Sequence, residues 1–320
     1  MERILVTGSC GQLGTELVAE LRSRFGTENV LATDLAEPKN KDFPAGPFES
    51  LNVLDKSSLE SLVSSFRPTQ IYHLAAILSA AAEKNPTLAW DVNIAGYMHV
   101  LDVARDSRGQ IQKVYAPSSI AVFGPNTPRQ STPQHTITDP STVYGITKLV
   151  DERLAEYYFC NYGTDVRSIR YPGLISYKTP PGGGTTDYAV DIFYKVVQER
   201  AYSSFLKPDS ALPMMYMPDA IRATLELMDA PSEKLSIRSS YNLGAISFTP
   251  AELAAEISRQ FGDFAMHYAP DFRQAIADSW PASIDDSAAR TDWGWKPEFG
   301  LSEMVKDMLH HISLKLNPLT

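Results

Sequence analysis

Cysteine is scarce: Cys10 and Cys160 are the only two among 320 residues. Two cannot build a disulfide framework, and a reducing, cytoplasmic setting is expected. No apolar run reaches the ~18 residues that a membrane span requires, so no membrane partner is expected. Ile4-Leu5-Val6 already reads as a buried strand, which leaves no stretch for a leader peptide. Positive charge is in deficit, with a formal net charge of -9 and the basic residues interspersed among acidic ones. No basic stripe is present to follow a phosphate backbone, which argues against nucleic acid. No His, Cys and carboxylate cluster has metal-ligand spacing, so no metal is expected. Internal repeats and low-complexity tracts are also missing.

Short β-rich runs alternate with amphipathic helical stretches in the first half. Ile4 to Thr7, Val30 to Asp34, Ile71 to Ala75, Val114 to Ala116 and Val166 to Arg170 read as strands. Leu13, Leu17 and Leu21, and the run from Leu88 through Val103, read as helices. This alternation predicts an α/β fold, a doubly wound parallel sheet of the Rossmann type. The turn-rich Pro180-Pro181-Gly182-Gly183-Gly184 marks a change of character. The expected division is a dinucleotide domain over 1–175 and a smaller substrate-binding lobe over 176–320, with about 238–246 returning to the main sheet. Thr249-Pro250 has the cap-then-proline pattern of a helix start.

Gly8, Gly11 and Gly14 follow the first strand and open the first helix. Side chains there would hold a pyrophosphate away from the free N–H groups and positive dipole end of that helix. Asp34 ends strand two, twenty residues after Gly14. Its carboxylate suits both hydroxyls of an adenosine ribose and repels a 2′-phosphate. Leu35-Ala36-Glu37 supplies no cation, so NAD is preferred over NADP. Asn52-Val53 can place an amide beside adenine, whereas Asp55 reads as a helix N-cap. Cys10 reads as a small filler of the glycine loop rather than a nucleophile.

Tyr144 and Lys148 are four apart in a helical pattern and share one face. A neighbouring ammonium and a positive nicotinamide ring favour phenolate, making the tyrosine a base near neutral pH. The strand Val114-Tyr115-Ala116 runs into Ser118-Ser119, where a hydroxyl can hold a substrate oxygen against that tyrosine. His73, at the end of strand four, reads as a structural residue. Trp280, Trp293 and Trp295 read as lobe packing, and Tyr157-Tyr158-Phe159 as core or a homodimer face.

Taken in order, Gly8-x-x-Gly11-x-x-Gly14, Asp34, His73-Leu74-Ala75-Ala76, Asn93, Ser118-Ser119, Val122-Phe123-Gly124, Tyr144-x-x-x-Lys148 and Arg170-Tyr171-Pro172-Gly173 resemble the extended short-chain dehydrogenase/reductase superfamily. Leu78-Ser79-Ala80, Gly182-Gly183-Gly184-Thr185-Thr186-Asp187-Tyr188 and Asp292-Trp293-Gly294-Trp295 narrow the resemblance to its L-threonine 3-dehydrogenase branch. The resemblance implies NAD-dependent oxidation of the β-hydroxyl of L-threonine to 2-amino-3-oxobutyrate. It implies Ser119, Tyr144 and Lys148 as catalytic residues, with Ser118 as the alternative serine and Asn93 in support. It adds Gln12, Leu13, Leu35, Leu74, Ala75, Ala76 and Leu174 to the cofactor contacts. It puts Ser79, Ser119, Tyr144, Gly184, Thr185 and Thr186 around the amino acid. Asp187 can serve the ammonium or cap the next helix. The triple glycine reads as a hinge over the substrate, and a homodimer is the expected assembly. Two other readings remain: a UDP-sugar epimerase or dehydratase, disfavoured by Phe123 where relatives carry tyrosine, and a non-catalytic NAD-sensing protein.

Overall fold

The computed structural model describes residues 2–38 and 43–316. Their contacts form two units. The first comprises Met1–Val122, Pro140–Arg170 and Ile221–Tyr241. The second comprises Phe123–Asp139, Tyr171–Ala220 and Asn242–Thr320.

In the first unit, strand β1 (Ile4–Thr7) is buried along its whole length, as expected of a strand covered on both faces. It pairs in parallel with β2 (Val30–Asp34), which pairs with β3 (Phe48–Ser50). On its other side it pairs in parallel with β4 (Gln70–His73), followed by β5 (Lys113–Tyr115) and β7 (Val166–Arg167). The strand order is β3-β2-β1-β4-β5-β7, the expected doubly wound Rossmann-type sheet. The order reverses between β1 and β4, and ligands bind beyond strand ends at such a reversal. The short β6 (Ser118–Ser119) lies outside this sheet.

Helices α1 (Gln12–Phe25) and α2 (Lys56–Phe66) make crossovers, and Asp55 caps α2 by accepting from Ser58 N–H at 3.1 Å, as its position predicts. Leu5, Leu31, Ile71, Val114 and Val166 contribute one side chain per strand to a common core. Leu59 and Leu62 of α2 close it, together with residues of two later helices. Each such burial contributes about 1.5–3 kcal/mol.

Two segments depart from the expected elements. The run expected as one helix from Leu88 through Val103 is α4 (Pro86–Trp90), a π-helical turn over Asp91–Ala95 and α5 (Gly96–Asp106), preceded by α3 (Ser79–Lys84). No residue pattern distinguishes a π turn from an α turn, whereas its widened backbone re-aims Asn93. The strand expected over Val166 to Arg170 is two, β7 and β8 (Ile169–Tyr171). Arg167 donates to the carbonyls of Leu227, Met228 and Ala230, while Arg170 is bound to Glu152, so the two guanidiniums fix different directions. Helix α6 (Val143–Tyr162) starts at Thr142, whose hydroxyl accepts from Gly145 N–H at 3.0 Å, and ends at Gly163 in the left-handed region.

In the second unit, β9 (Gly173–Ile175) pairs in parallel with β11 (Leu212–Tyr216), which pairs antiparallel with β13 (Ile246–Phe248). Strand β10 (Ala201–Ser204), entered from α7 (Tyr188–Glu199), pairs with β14 (Ala265–Tyr268). The short β12 (Tyr241–Asn242) begins at the last residue of the first unit, where Tyr241 N–H donates to Ser168. Thr249 and Glu252 form a capping box at the helix Pro250–Phe261. Trp295 is buried and donates to Gly244 O and Asp286 Oδ2, each at 3.1 Å, and Trp280 is also buried.

Candidate active site

The glycine loop is shaped by close approach. Gly8 lies at φ 69°, and a Cβ on it would come 2.4 Å from Ala75 N. That contact sets the β1 loop against Leu74-Ala75-Ala76, the half-buried turn that follows β4. A Cβ on Gly14 would meet Ser9 O at 2.6 Å and Gly8 O at 2.7 Å. Gly11 differs, because a Cβ there would meet only Gly8 O at 3.5 Å. The protein's own packing does not demand a glycine at that position, whereas an approaching phosphate does. Gly11 is also the N-cap of α1, which has no side-chain cap and no acidic residue in its first turn, the turn that holds Gln12 and Leu13. Such a helix start suits an anion.

Asp34 Oδ2 accepts from Cys10 N–H at 2.9 Å and Oδ1 from Leu35 N–H at 2.8 Å. A carboxylate has about four acceptor positions, so capacity remains for hydroxyl donors. A cleft of about 370 Å³ opens here, lined by Cys10, Thr15, Asp34, Leu35, Glu37 and Phe43 among others. None of the described lining residues is Lys or Arg. The free acceptor positions of Asp34 fit the hydroxyls of an adenosine ribose. Burial and the Asp34 charge push the Cys10 thiol up, which keeps it from thiolate chemistry. Asn52 is exposed and its side-chain oxygen accepts from Leu54 N–H, while Val53 is buried.

Tyr144 stands in the first turn of α6. A Cβ on Gly145 would lie 2.1 Å from Ala121 O, so this glycine lets the helix settle directly on the turn after Ser119. Glu83 at the end of α3 accepts from Val143 N–H at 2.7 Å and fixes the same helix start. The two serines separate cleanly. Ser118 is buried and donates to Glu152 Oε1 at 2.7 Å. Ser119 Oγ accepts from Ala121 N–H at 3.2 Å, and its hydroxyl acts on Tyr144 to lower the proton affinity of the phenol. Lys148 Nζ lies 5.9 Å from the centre of the Tyr144 ring.

The expected depression of the Tyr144 phenol is not what the polypeptide alone produces. Burial holds the phenol above its ordinary value; Lys148 and the Ser119 hydroxyl pull the other way, and Asp151 adds to the rise. Asp151 was invisible to motif reading, yet its Oδ2 is 3.1 Å from Lys148 Nζ. The available signal was the three-residue spacing, which puts it on the lysine's face.

Asn93 is buried in the π-helical turn. Its side-chain oxygen accepts from Ile77 N–H at 2.8 Å, and its amide donates to Ile77 O at 3.1 Å and to Thr147 Oγ1 at 3.0 Å. Thr147 in turn donates to Tyr144 O at 2.8 Å. Asn93 thus ties the segment before Ser79 to the Tyr144 helix. His73 bonds Thr7 Oγ1 through Nδ1 at 2.8 Å and stacks on Tyr97. Burial pushes its pKa down to about 3, which keeps it neutral and fits a structural role.

In the second unit, Thr185 is buried and Gly184 and Thr186 are half-buried. A Cβ on Gly173 would strike Thr186 Cβ at 2.7 Å, so Thr186 packs on β9, the strand that carries Leu174. Asp187 stands at the start of α7 without a side-chain cap bond. Its Oδ2 instead accepts from the N–H groups of Gly182, Gly183 and Gly184 at 2.6, 2.7 and 2.9 Å. The glycine turn is held by this carboxylate, an arrangement that neither expectation for Asp187 contained. Among the described residues, no group of His, Cys, Asp and Glu could hold a metal ion, and no helix is long and apolar enough to cross a membrane.

Comparison with known proteins agrees with this geometry. The family model described as "NAD dependent epimerase/dehydratase family" matches residues 4–244. An uncharacterized epimerase/dehydratase of Staphylococcus saprophyticus is 50% identical over 317 residues, 98% of each chain. The holo form of a GalE-like L-threonine dehydrogenase from Cupriavidus necator has 53% identity and a TM-score of 0.93, covering 97% of this chain and 99% of that one. A monomeric L-threonine 3-dehydrogenase of metagenomic origin has 50% identity and a TM-score of 0.92, covering 98% and 99%. With its glycine loop, its strand-end Asp34 and these matches, the chain is an NAD-using enzyme that belongs to the NAD-dependent epimerase/dehydratase family.

Proposed function

We propose that this protein oxidises the β-hydroxyl of L-threonine to 2-amino-3-oxobutyrate. One observation carries the chemistry: the Lys148 ammonium 5.9 Å from the centre of the Tyr144 ring, with the Ser119 hydroxyl also favouring the phenolate. The end-to-end likeness to two L-threonine dehydrogenases supports the substrate. In this reading Tyr144 takes the hydroxyl proton and Ser119 holds the substrate oxygen as it becomes a carbonyl. Lys148 and the Ser119 hydroxyl offset part of the burial penalty on the phenolate. When bound, NAD supplies the hydride acceptor and a further positive charge.

Gly8, Gly11, Gln12, Leu13 and Gly14 hold its pyrophosphate in this reading, and Asp34 and Leu35 hold the adenosine ribose. Asn52 and Val53 serve the adenine. Leu74, Ala75, Ala76, Asn93 and Leu174 complete the contacts, with Lys148 on the second ribose. Ser79, Gly184, Thr185 and Thr186 are assigned to the amino acid's carboxylate and ammonium. Hydroxyl and backbone groups suit a zwitterion, which has little net charge to neutralise. A cytoplasmic homodimer completes the proposal. Exposed Met98, Ile146 and Tyr157 offer the apolar surface for it, and a monomer in sedimentation velocity would overturn that part.

The test is absorbance in the NADH band on mixing enzyme, NAD and L-threonine. A signal with threonine and none with UDP-glucose is expected; silence with threonine overturns the substrate. Tyr144→Phe should keep NAD binding while turnover falls by roughly 10²–10⁴-fold.

A further inference from the structure

Lys148 does not stand alone on α6. Asp151 lies about one turn further on, with Oδ2 3.1 Å from the ammonium. The two side chains are only 7% and 9% exposed. The second carboxylate oxygen, Oδ1, is buried and has no hydrogen-bond partner. An ion pair kept only for structure would be expected to satisfy that oxygen, because a bare buried acceptor is costly. The titratable groups around the pair are few. They are Tyr144 and Glu152 on α6, Tyr97 on α5 and His73 at the end of β4. Tyr97 and His73 are neutral by burial, and Glu152 is bound to Arg170. Lys148 therefore answers two anionic demands, the Asp151 carboxylate and the phenolate that Tyr144 becomes on giving up its proton.

We propose that Asp151 is a positioning residue, holding Lys148 charged through their buried ion pair and setting by its own charge the pH at which Tyr144 becomes a base. This rests on the reading of Tyr144 as proton acceptor. A negative charge raises the proton affinity of every neighbour. Burial alone would lower the Lys148 pKa, but Asp151, together with Tyr144 and Glu152, outweighs it and the net shift is upward. Tyr144 is held up chiefly by burial, and Asp151 adds to that. Removing the charge should therefore move both groups in one direction, downward. The acid limb of the rate profile, where Tyr144 must lose its proton, and the alkaline limb, where Lys148 must keep its own, should both shift to lower pH.

Asp151→Asn keeps the size and removes the charge. With NAD and L-threonine, its pH profile should lie about one unit lower than wild type on both limbs, roughly a tenfold higher relative rate at a fixed pH on the acid limb. Unmoved limbs, whatever happens to the maximum rate or the melting temperature, overturn the proposal. A second measurement needs no substrate. The ultraviolet tyrosinate titration of each protein minus that of its Tyr144→Phe counterpart isolates the Tyr144 midpoint, which should fall on replacing Asp151. If wild type does not oxidise L-threonine, this difference still decides the matter for Asp151 while the functional reading alone fails. Asp151→Ser enters the same two measurements if the Asn variant does not fold.

Discussion

Two buried ion pairs sit side by side on α6, and they are built differently. Glu152 meets Arg170 twice, with Nε at 2.8 Å and Nη2 at 2.7 Å, and takes a third bond from Ser118 at 2.7 Å. Asp151 meets Lys148 once, at 3.1 Å, and its other oxygen goes without a partner. The first pair joins α6 to β6 and β8 and satisfies both carboxylate oxygens. The second joins two residues of a single helix and leaves a charge under-compensated beside Tyr144. Polar satisfaction therefore distinguishes a pair that holds the fold from a pair that tunes a site.

Removing one partner from each pair should break the comparison open. Glu152→Ala leaves the Arg170 guanidinium buried without its carboxylate, and an arginine cannot discharge by losing a proton. A loss of about 3–5 kcal/mol is expected in urea unfolding. Lys148→Met leaves Asp151 behind, but a carboxylate can escape by taking up a proton. The loss there should be about 1–2 kcal/mol, because neutralising a carboxyl that already titrates near neutral pH costs little. Equal losses in the two variants would remove the distinction.

The pH dependence of stability sharpens the same contrast with a smaller effect. Burial raises the Asp151 carboxyl to about 6, above its ordinary value near ~4 in an unfolded chain. A carboxyl raised on folding binds more protons in the native state across that window. Its unfavourable contribution is therefore full above pH ~6 and is relieved as pH falls toward ~4, by at most about 3 kcal/mol. Wild type should gain stability relative to Asp151→Asn as the pH drops from 7 to 5, measured by paired urea titrations. Parallel curves would show that the Asp151 carboxyl does not titrate in that range.

How much of this was legible in the sequence follows from range. The glycine loop, Asp34 and the Tyr144/Lys148 spacing are local patterns with a local physical reason, and the structure sets Lys148 beside the Tyr144 ring as that spacing implies. Ser118 and Ser119 could not be separated beforehand, because their partners, Glu152 and Tyr144, arrive from a helix more than twenty residues on. Asp151 carried a signal in its spacing, but an acidic residue on a helix ordinarily reads as a solvated face. Asn93 was singled out, yet its clamp depends on a π turn that has no sequence signature. Asp187 offered two roles, serving an ammonium or capping the next helix, whereas its bonds go back along the chain to three glycine N–H groups. The break between β7 and β8 follows from where two buried arginines find carbonyls and a carboxylate, which no local pattern encodes.

The contrast between a residue fixed by packing and one fixed by chemistry recurs inside the glycine loop. Gly14→Ala drives a Cβ to 2.6 Å from Ser9 O, a backbone atom that cannot step aside cheaply. A loss of about 1–3 kcal/mol is expected, as for other overpacked sites. Gly11→Ala finds its first neighbour at 3.5 Å and sits at φ -70°, which any residue adopts. Its stability should change by no more than about 0.5 kcal/mol. The methyl group would instead stand at the mouth of α1, where a pyrophosphate must come close, so NAD affinity should fall by about tenfold or more. Melting curves and NAD titrations of the two variants read the two effects apart. If Gly11→Ala bound NAD as wild type does, Gly11 would be a turn residue only, and the anion site at this helix start would need other groups to form it.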